Sequence, residues 1–233
     1  MIKHIFFDLD RTLWDFEKNS QHALKLLFCK YELKKYVRQF YDFFYTYKSI
    51  NSDLWVKYGK GNISKEELRE VRFKKTLEKF NCFDTELAAQ ISNDYIDISP
   101  SLKNLFPHTI ESLKALKSQD YNLHIITNGF REVQLKKMTN CNMIHFFDVI
   151  VSSEDIGFNK PDQRIFKHAL NLAKACPEES LMIGDDLNVD VNGAANVGMH
   201  AFLFDPMMRY RKVRGFQVIN DLIEIPSLVP FIL

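Results

Sequence analysis

Four short runs of β-branched and aromatic residues, Ile2–Phe7, Leu123–Ile126, Val149–Val151 and Leu181–Gly184, each stop at a cluster of polar residues, and no other pattern limits the fold more. Runs this short, bounded by turn-forming residues, read as strands buried in a sheet. From Pro107 onward they alternate with helical segments near 107–119, 130–140, 162–175 and 189–198. That alternation builds parallel βαβ units. The first strand must join the same sheet, although a long block separates it from the others. From Glu17 to about Ile98 the block contains helical patterns and no convincing strand: Ala23, Leu24, Leu27, Phe28 and Tyr31 share one face, as do Phe40, Phe43, Phe44, Tyr47 and Ile50. Ser64-Lys65-Glu66-Glu67 reads as a capping box opening a third helix, and Asp84 as the cap of a fourth carrying Leu87, Ile91 and Tyr95. The fold class expected is α/β, a parallel sheet with a helical bundle inserted after its first strand. The tail after Gly215 is expected to add a last strand and a terminal stretch packed on the core.

Open parallel sheets bind ligands at the carboxyl ends of their strands. The polar clusters therefore carry the functional reading. After Phe7 comes Asp8-Leu9-Asp10. Carboxylates two apart share a side of an extended chain and resist joint ionisation unless a cation lies between them or one keeps its proton. A metal site and a nucleophile with an acid partner are both consistent with this. Thr127-Asn128-Gly129 offers a hydroxyl and backbone amides in a turn able to hold an oxyanion. Asn159-Lys160-Pro161-Asp162 places a lysine before a proline expected to open a helix at its first position; alone, such a lysine reads as solvated. Asp185-Asp186-Leu187-Asn188-Val189-Asp190 packs three acids behind a buried strand, a hard oxygen set suited to Mg²⁺.

Composition narrows the partners. With 31 basic and 30 acidic residues the chain has no general field to attract nucleic acid, and a small ligand is expected instead. The first apolar run is too short for a signal peptide and no later segment approaches a membrane span, so a cytoplasmic protein is expected. Cys29, Cys82, Cys141 and Cys176 are widely spaced, indicating neither a zinc site nor a disulfide framework.

Asp-x-Asp, Thr, Lys and Gly-Asp-Asp in this order, each at a strand end between residues 8 and 190, strongly resemble the haloacid dehalogenase superfamily. Arg11 departs from it, standing where many members have a glycine or a second acid. The resemblance implies a Rossmann-like three-layer α/β/α core, residues 1–14 and 101–233, with a helical cap at 15–100 that sets substrate specificity. It further implies a phosphatase in which Asp8 is the nucleophile, Asp10 the proton donor and acceptor, and Lys160 the cation beside both nucleophile and phosphoryl group. Thr127 and the Asn128 amide would hold phosphoryl oxygens. Mg²⁺, which Mn²⁺ could replace, would be held by Asp8, Asp185 and the backbone carbonyl of Asp10, with Asp186 and Asp190 further out.

Within the cap, residues 47–73, including Ile50-Asn51-Ser52-Asp53-Leu54-Trp55 and Arg72-Phe73, resemble bacterial pyrimidine 5′-nucleotidases. That implies a nucleoside monophosphate as substrate, with Asn51, Trp55 and Arg72 as candidate contacts. Phosphoglycolate or sugar phosphatases and phosphomutases share the same four motifs. A 2-haloacid dehalogenase, whose halide needs no proton donor, would have little use for Asp10 or for the Asp185 and Asp186 pair. A non-catalytic phosphate-binding protein would be expected to have lost an acid or the lysine.

Overall fold

A computed structural model describes residues 1–210 and 213–232. The chain forms two compact units: Met1–Phe16 with Lys103–Leu233, and Glu17–Leu102.

The first unit is built on a six-stranded, wholly parallel sheet. Its strands are β1 (His4–Phe7), β2 (Asn122–Thr127), β3 (Val149–Ser152), β4 (Ser180–Gly184), β5 (His200–Phe204) and β6 (Gln217–Ile219). They lie in the order β3-β2-β1-β4-β5-β6. The four runs expected as strands are all here, as is the tail strand, and β5 joins them. Alternation along β1 sends Ile5 and Phe7 to one apolar layer and Phe6 to the other. Both faces of the strand are thus buried, as parallel sheets require. Leu222, Ile225 and Val229 pack the tail onto the first layer, whereas Leu233 lies outside the described residues.

Between the strands run α5 (Thr109–Ser118), α6 (Arg131–Asn140) and α7 (Gln163–Ala173), close to their expected limits. Pro161 does not open α7. Asp162 is its cap, accepting from the Arg164 amide at 2.9 Å, so the helix begins at Gln163 and Pro161 belongs to the loop. A capping carboxylate satisfies an orphan amide, which the proline ring cannot do. The segment after β4 also differs from the expected helix: a wide π-type turn, Leu187–Asn192, leads into a single helical turn, Gly193–Ala195.

The second unit holds four helices, α1 (Phe16–Lys30), α2 (Phe40–Gly59), α3 (Lys65–Glu78) and α4 (Thr85–Ile98). Their core is rich in aromatic residues, with Phe28, Phe43, Phe44, Tyr47, Phe73 and Tyr95 among its buried members. Ser64 and Asp84 cap α3 and α4 by accepting from the Glu67 and Leu87 amides. No helix among the described residues is long and apolar enough to cross a membrane. None of the four cysteines is in a disulfide.

Candidate active site

The strand order changes direction at β1, which has β2 on one side and β4 on the other. Asp8 is the next residue, and its amide still donates to the Ile183 carbonyl at 2.9 Å. The sheet therefore holds its backbone, at the switch point where open α/β sheets leave a crevice. Its carboxylate is buried and accepts from Lys160 Nζ at 2.6 Å. The same ammonium donates to Asp190 Oδ1 at 2.6 Å and to the Ile126 carbonyl at 2.7 Å. Those three bonds use all the donors an ammonium has. Lys160, which its sequence context alone would leave in solvent, is 4% exposed. The Asn128 side chain holds the lysine loop in place: its Oδ1 accepts from the Lys160 amide at 2.8 Å and its Nδ2 donates to the Lys160 carbonyl at 3.1 Å.

Asp8, Asp185 and Asp190 can bring carboxylate oxygens within 4.8 Å of one another. Asp190 comes this close because the strand before it ends in Gly184, where a Cβ would overlap the Asp190 carboxylate. Both oxygens of Asp190 accept a hydrogen bond, Oδ1 from Lys160 and Oδ2 from the Asp186 amide at 3.1 Å. Asp186 acts locally, accepting from the Asn188 and Val189 amides as the cap of the π-type turn. Burial pushes the Asp185 carboxyl up to about 8, with repulsion from Asp8 and Asp190 adding to it. Burial likewise raises Asp8, to about 7, against the opposing pull of Lys160. Burial disfavours the charge on Lys160, but Asp190 and Asp8 outweigh it and hold the lysine above its ordinary value. Three clustered acids face one lysine, so full ionisation leaves two negative charges unbalanced. An all-oxygen set with this deficit fits a hard divalent cation.

Thr127 is the last residue of β2 and is buried. Its Oγ1 accepts from the Gly129 amide at 3.1 Å and from Gln134 Nε2 at 2.6 Å. Asp10 turns its carboxylate toward α6. It pairs with Lys137 Nζ at 2.6 and 2.9 Å and accepts from Gln134 Nε2 at 2.9 Å. Sequence reasoning missed Gln134 and Lys137. Their own segment carries no signal for them: only the structure shows them one turn apart on the buried side of α6 with Met138. Arg11 has a φ of 68°, the left-handed region where glycine is the usual residue. Its guanidinium lies 4.4 Å from the Phe16 ring centre.

The structure brings Asp8, Lys160, Asp185 and Asp190 together, and links Asp10 to Thr127 through Gln134. The cap candidates lie in the helical unit. Asn51 and Arg72 are buried there, Arg72 over the rings of Tyr95 and Phe73 at 4.8 and 5.4 Å. Asn51 Oδ1 and Arg72 Nε have no hydrogen-bond partner. Trp55 is partly exposed and meets Tyr58 edge-on.

A buried aspartate bonded to a lysine, beside an acid cluster at the switch point of a parallel sheet, marks the candidate active site of an α/β fold. The chain belongs to the haloacid dehalogenase-like hydrolases, whose family model matches residues 5–204. It is 32% identical over 197 residues to the pyrimidine 5′-nucleotidase YjjG of Escherichia coli, covering 84% of this chain and 82% of that one. It is 41% identical over 109 residues to a glyceraldehyde 3-phosphate phosphatase of Methanothermobacter thermautotrophicus, covering 47% of this chain and 48% of that one. Among solved structures, the magnesium-bound HAD-hydrolase YfnB of Bacillus subtilis superposes with a TM-score of 0.86 at 26% identity, covering 99% of both chains.

Proposed function

We propose that this hydrolase is a Mg²⁺-dependent phosphatase of small phosphomonoesters, acting through an aspartyl phosphate, and that its substrates are pyrimidine nucleoside 5′-monophosphates. The observation that carries the chemistry is the buried Asp8–Lys160 pair beside Asp185. Asp8 attacks phosphorus while the bond to the leaving oxygen breaks, and Asp10 gives that oxygen a proton. Asp10 then takes a proton from the water that attacks the aspartyl phosphate, releasing phosphate and restoring Asp8. Lys160 keeps Asp8 in register and offsets charge on the phosphoryl group. Thr127 and the Asn128 amide hold phosphoryl oxygens. Asp8, Asp185 and the Asp10 backbone carbonyl would hold Mg²⁺, which reduces the repulsion between an anionic nucleophile and an anionic ester. A halide leaving group needs no proton, so the elaborate setting of Asp10 favours a phosphate ester over a haloacid.

The core groups grip only phosphate, so selectivity is assigned to the cap. A match of 197 residues must include most of the inserted helical unit, which makes the nucleotidase a better guide to substrate than a relative matched over 109. Trp55 is proposed to contact the nucleoside, since a base needs an aromatic face. Asn51 Oδ1 and Arg72 Nε, buried without partners, are polar atoms that a bound substrate could satisfy.

The test is phosphate release with Mg²⁺ and with EDTA, over uridine, deoxyuridine, thymidine and purine 5′-monophosphates, phosphoglycolate, glyceraldehyde 3-phosphate and hexose phosphates, with halide release from 2-chloropropionate in parallel. Metal-dependent release strongest on pyrimidine nucleotides is expected. Dominance of a sugar or triose phosphate would overturn the substrate, and halide release without metal would overturn the chemistry.

A further inference from the structure

Gln134 and Lys137 sit one helical turn apart on α6, at 1% and 4% exposure, although glutamine and lysine are ordinarily surface residues. Each is directed at a group that the proposed mechanism uses. Lys137 Nζ holds both oxygens of Asp10 and lies over the Trp14 ring, 4.3 Å from its centre, a cation–π contact that helps to fix the ammonium. Gln134 Nε2 bridges Asp10 Oδ2 and Thr127 Oγ1. Gly129 makes room for it, because a Cβ at that position would overlap the Gln134 amide.

Two consequences follow from donor and acceptor counting. Thr127 Oγ1 accepts from both Gln134 and the Gly129 amide, which fills both lone pairs of a hydroxyl oxygen. Its own proton is then the one hydrogen left to donate, and it must point away from both. Asp10 receives donors on both oxygens, which fixes the plane and rotamer of a carboxylate that is otherwise partly open to solvent. One helix face thereby aligns the oxyanion donor and the proton-transfer group.

We propose that Gln134 and Lys137 form a positioning clamp, in which Lys137 orients Asp10 for proton transfer and Gln134 couples that orientation to the hydroxyl donor of Thr127. This rests on the phosphatase reading above. It predicts a defect graded by leaving group. An alkoxide leaving from a nucleotide needs a well-aimed proton donor, whereas 4-nitrophenolate leaves nearly unaided.

The experiment compares the pre-steady-state rate of leaving-group release, which reports enzyme phosphorylation before Asp10 acts on water, for wild type, Lys137→Met, Gln134→Met and Asp10→Asn on an alkyl phosphate and on 4-nitrophenyl phosphate, with folding checked by circular dichroism. Lys137→Met is expected to lower this rate on the alkyl ester by on the order of 10²-fold, the usual scale of general acid catalysis, and on the aryl ester by less than about 5-fold. Its half-saturating substrate concentration should stay near wild type. Gln134→Met should show the same graded loss in release rate and, through Thr127, a raised half-saturating concentration on both esters; it carries the test if Lys137→Met does not fold. Equal losses on the two esters in the clamp variants, beside a graded loss in Asp10→Asn, would overturn the clamp alone. Equal losses in Asp10→Asn as well would overturn the proton-donor role beneath it.

Discussion

The two units bury polar side chains in different ways. In the sheet unit, Asp8, Thr127, Gln134, Lys137, Lys160 and Asp190 are all buried, and bonds between residues distant in sequence tie them together. Asp8 and Lys160 are separated by 152 positions. In the helical unit the buried hydrogen bonds join neutral groups: the Thr76 hydroxyl donates to the Arg72 carbonyl one turn back, Ser92 reaches from α4 to a carbonyl of α3, and the Ser20 and Tyr95 hydroxyls meet at 3.1 Å. Arg72 lies against aromatic rings with no carboxylate partner among the described residues. The sheet unit concentrates buried charge near its strand ends, where the proposed chemistry would use it. The helical unit relies on aromatic packing, which tolerates surface change. Chemistry should therefore be brittle in the first unit, and selectivity adjustable in the second.

The sharpest way to break that contrast is Asp8→Asn. It should lower turnover by on the order of 10⁴-fold or more while the protein stays folded. Residual activity near wild type, after mass spectrometry has excluded deamidation, would remove the nucleophile from this site. Next comes Lys160→Met, which strips the acid cluster of the ammonium that contacts Asp8 and Asp190. A loss of about 3–5 kcal/mol in denaturant unfolding is expected, as for other broken buried pairs. Protonating the acids should recover part of it at lower pH.

The acid cluster also sets a pH trend. Asp8 and Asp185 have folded values raised to about 7 and about 8, against about 3.9 unfolded. The folded state therefore holds more protons, and their contribution to stability falls as pH rises from about 4 through about 8. In metal-free protein, melting temperature should show this decline, and Asp185→Asn should flatten it. Mg²⁺ binding the ionised cluster should stabilise more at about pH 8.5 than at about pH 5.5. An equal increment at both would argue against the cluster as the cation site.

In the helical unit Trp55→Ala should shift the ratio of kcat/KM between a pyrimidine nucleotide and 4-nitrophenyl phosphate by about 10-fold, leaving the small ester nearly unaffected. Equal effects on both would make Trp55 a structural residue. The smallest change is expected at Arg11. Arg11→Gly relieves a left-handed backbone but loses the contact with Phe16, and the two should cancel to within about 1 kcal/mol in thermal unfolding.

Much of this was legible along the chain. Ile5, Ile125 and Ile183 announce buried strands by their short apolar runs, and Ser64 and Asp84 announce helix starts by cap chemistry, since both signals lie within a few residues. The acids at 185–190 mark a candidate cation site by their density, and two of them, Asp185 and Asp190, join Asp8 in the cluster. Other features were illegible. Pro161 looks like the first residue of α7, but the Asp162 carboxylate reaches the free amide first. Gln134 and Lys137 look like surface residues of a polar helix, because nothing in their own segment shows that Asp10 and Thr127 lie beneath them.

Local pattern alone determined the parallel α/β architecture, the inserted helices and the acids at the strand ends, because periodicity, caps and strand ends are written in near neighbours. Only the tertiary structure decided which of those residues meet. The strand order puts Asp8 between Thr127 and Asp185, Gly184 lets Asp190 close on Lys160, and α6 turns a glutamine and a lysine onto Asp10. Such contacts depend on the approach of distant segments and on the charges they must share once water is excluded, neither of which a local stretch of sequence encodes.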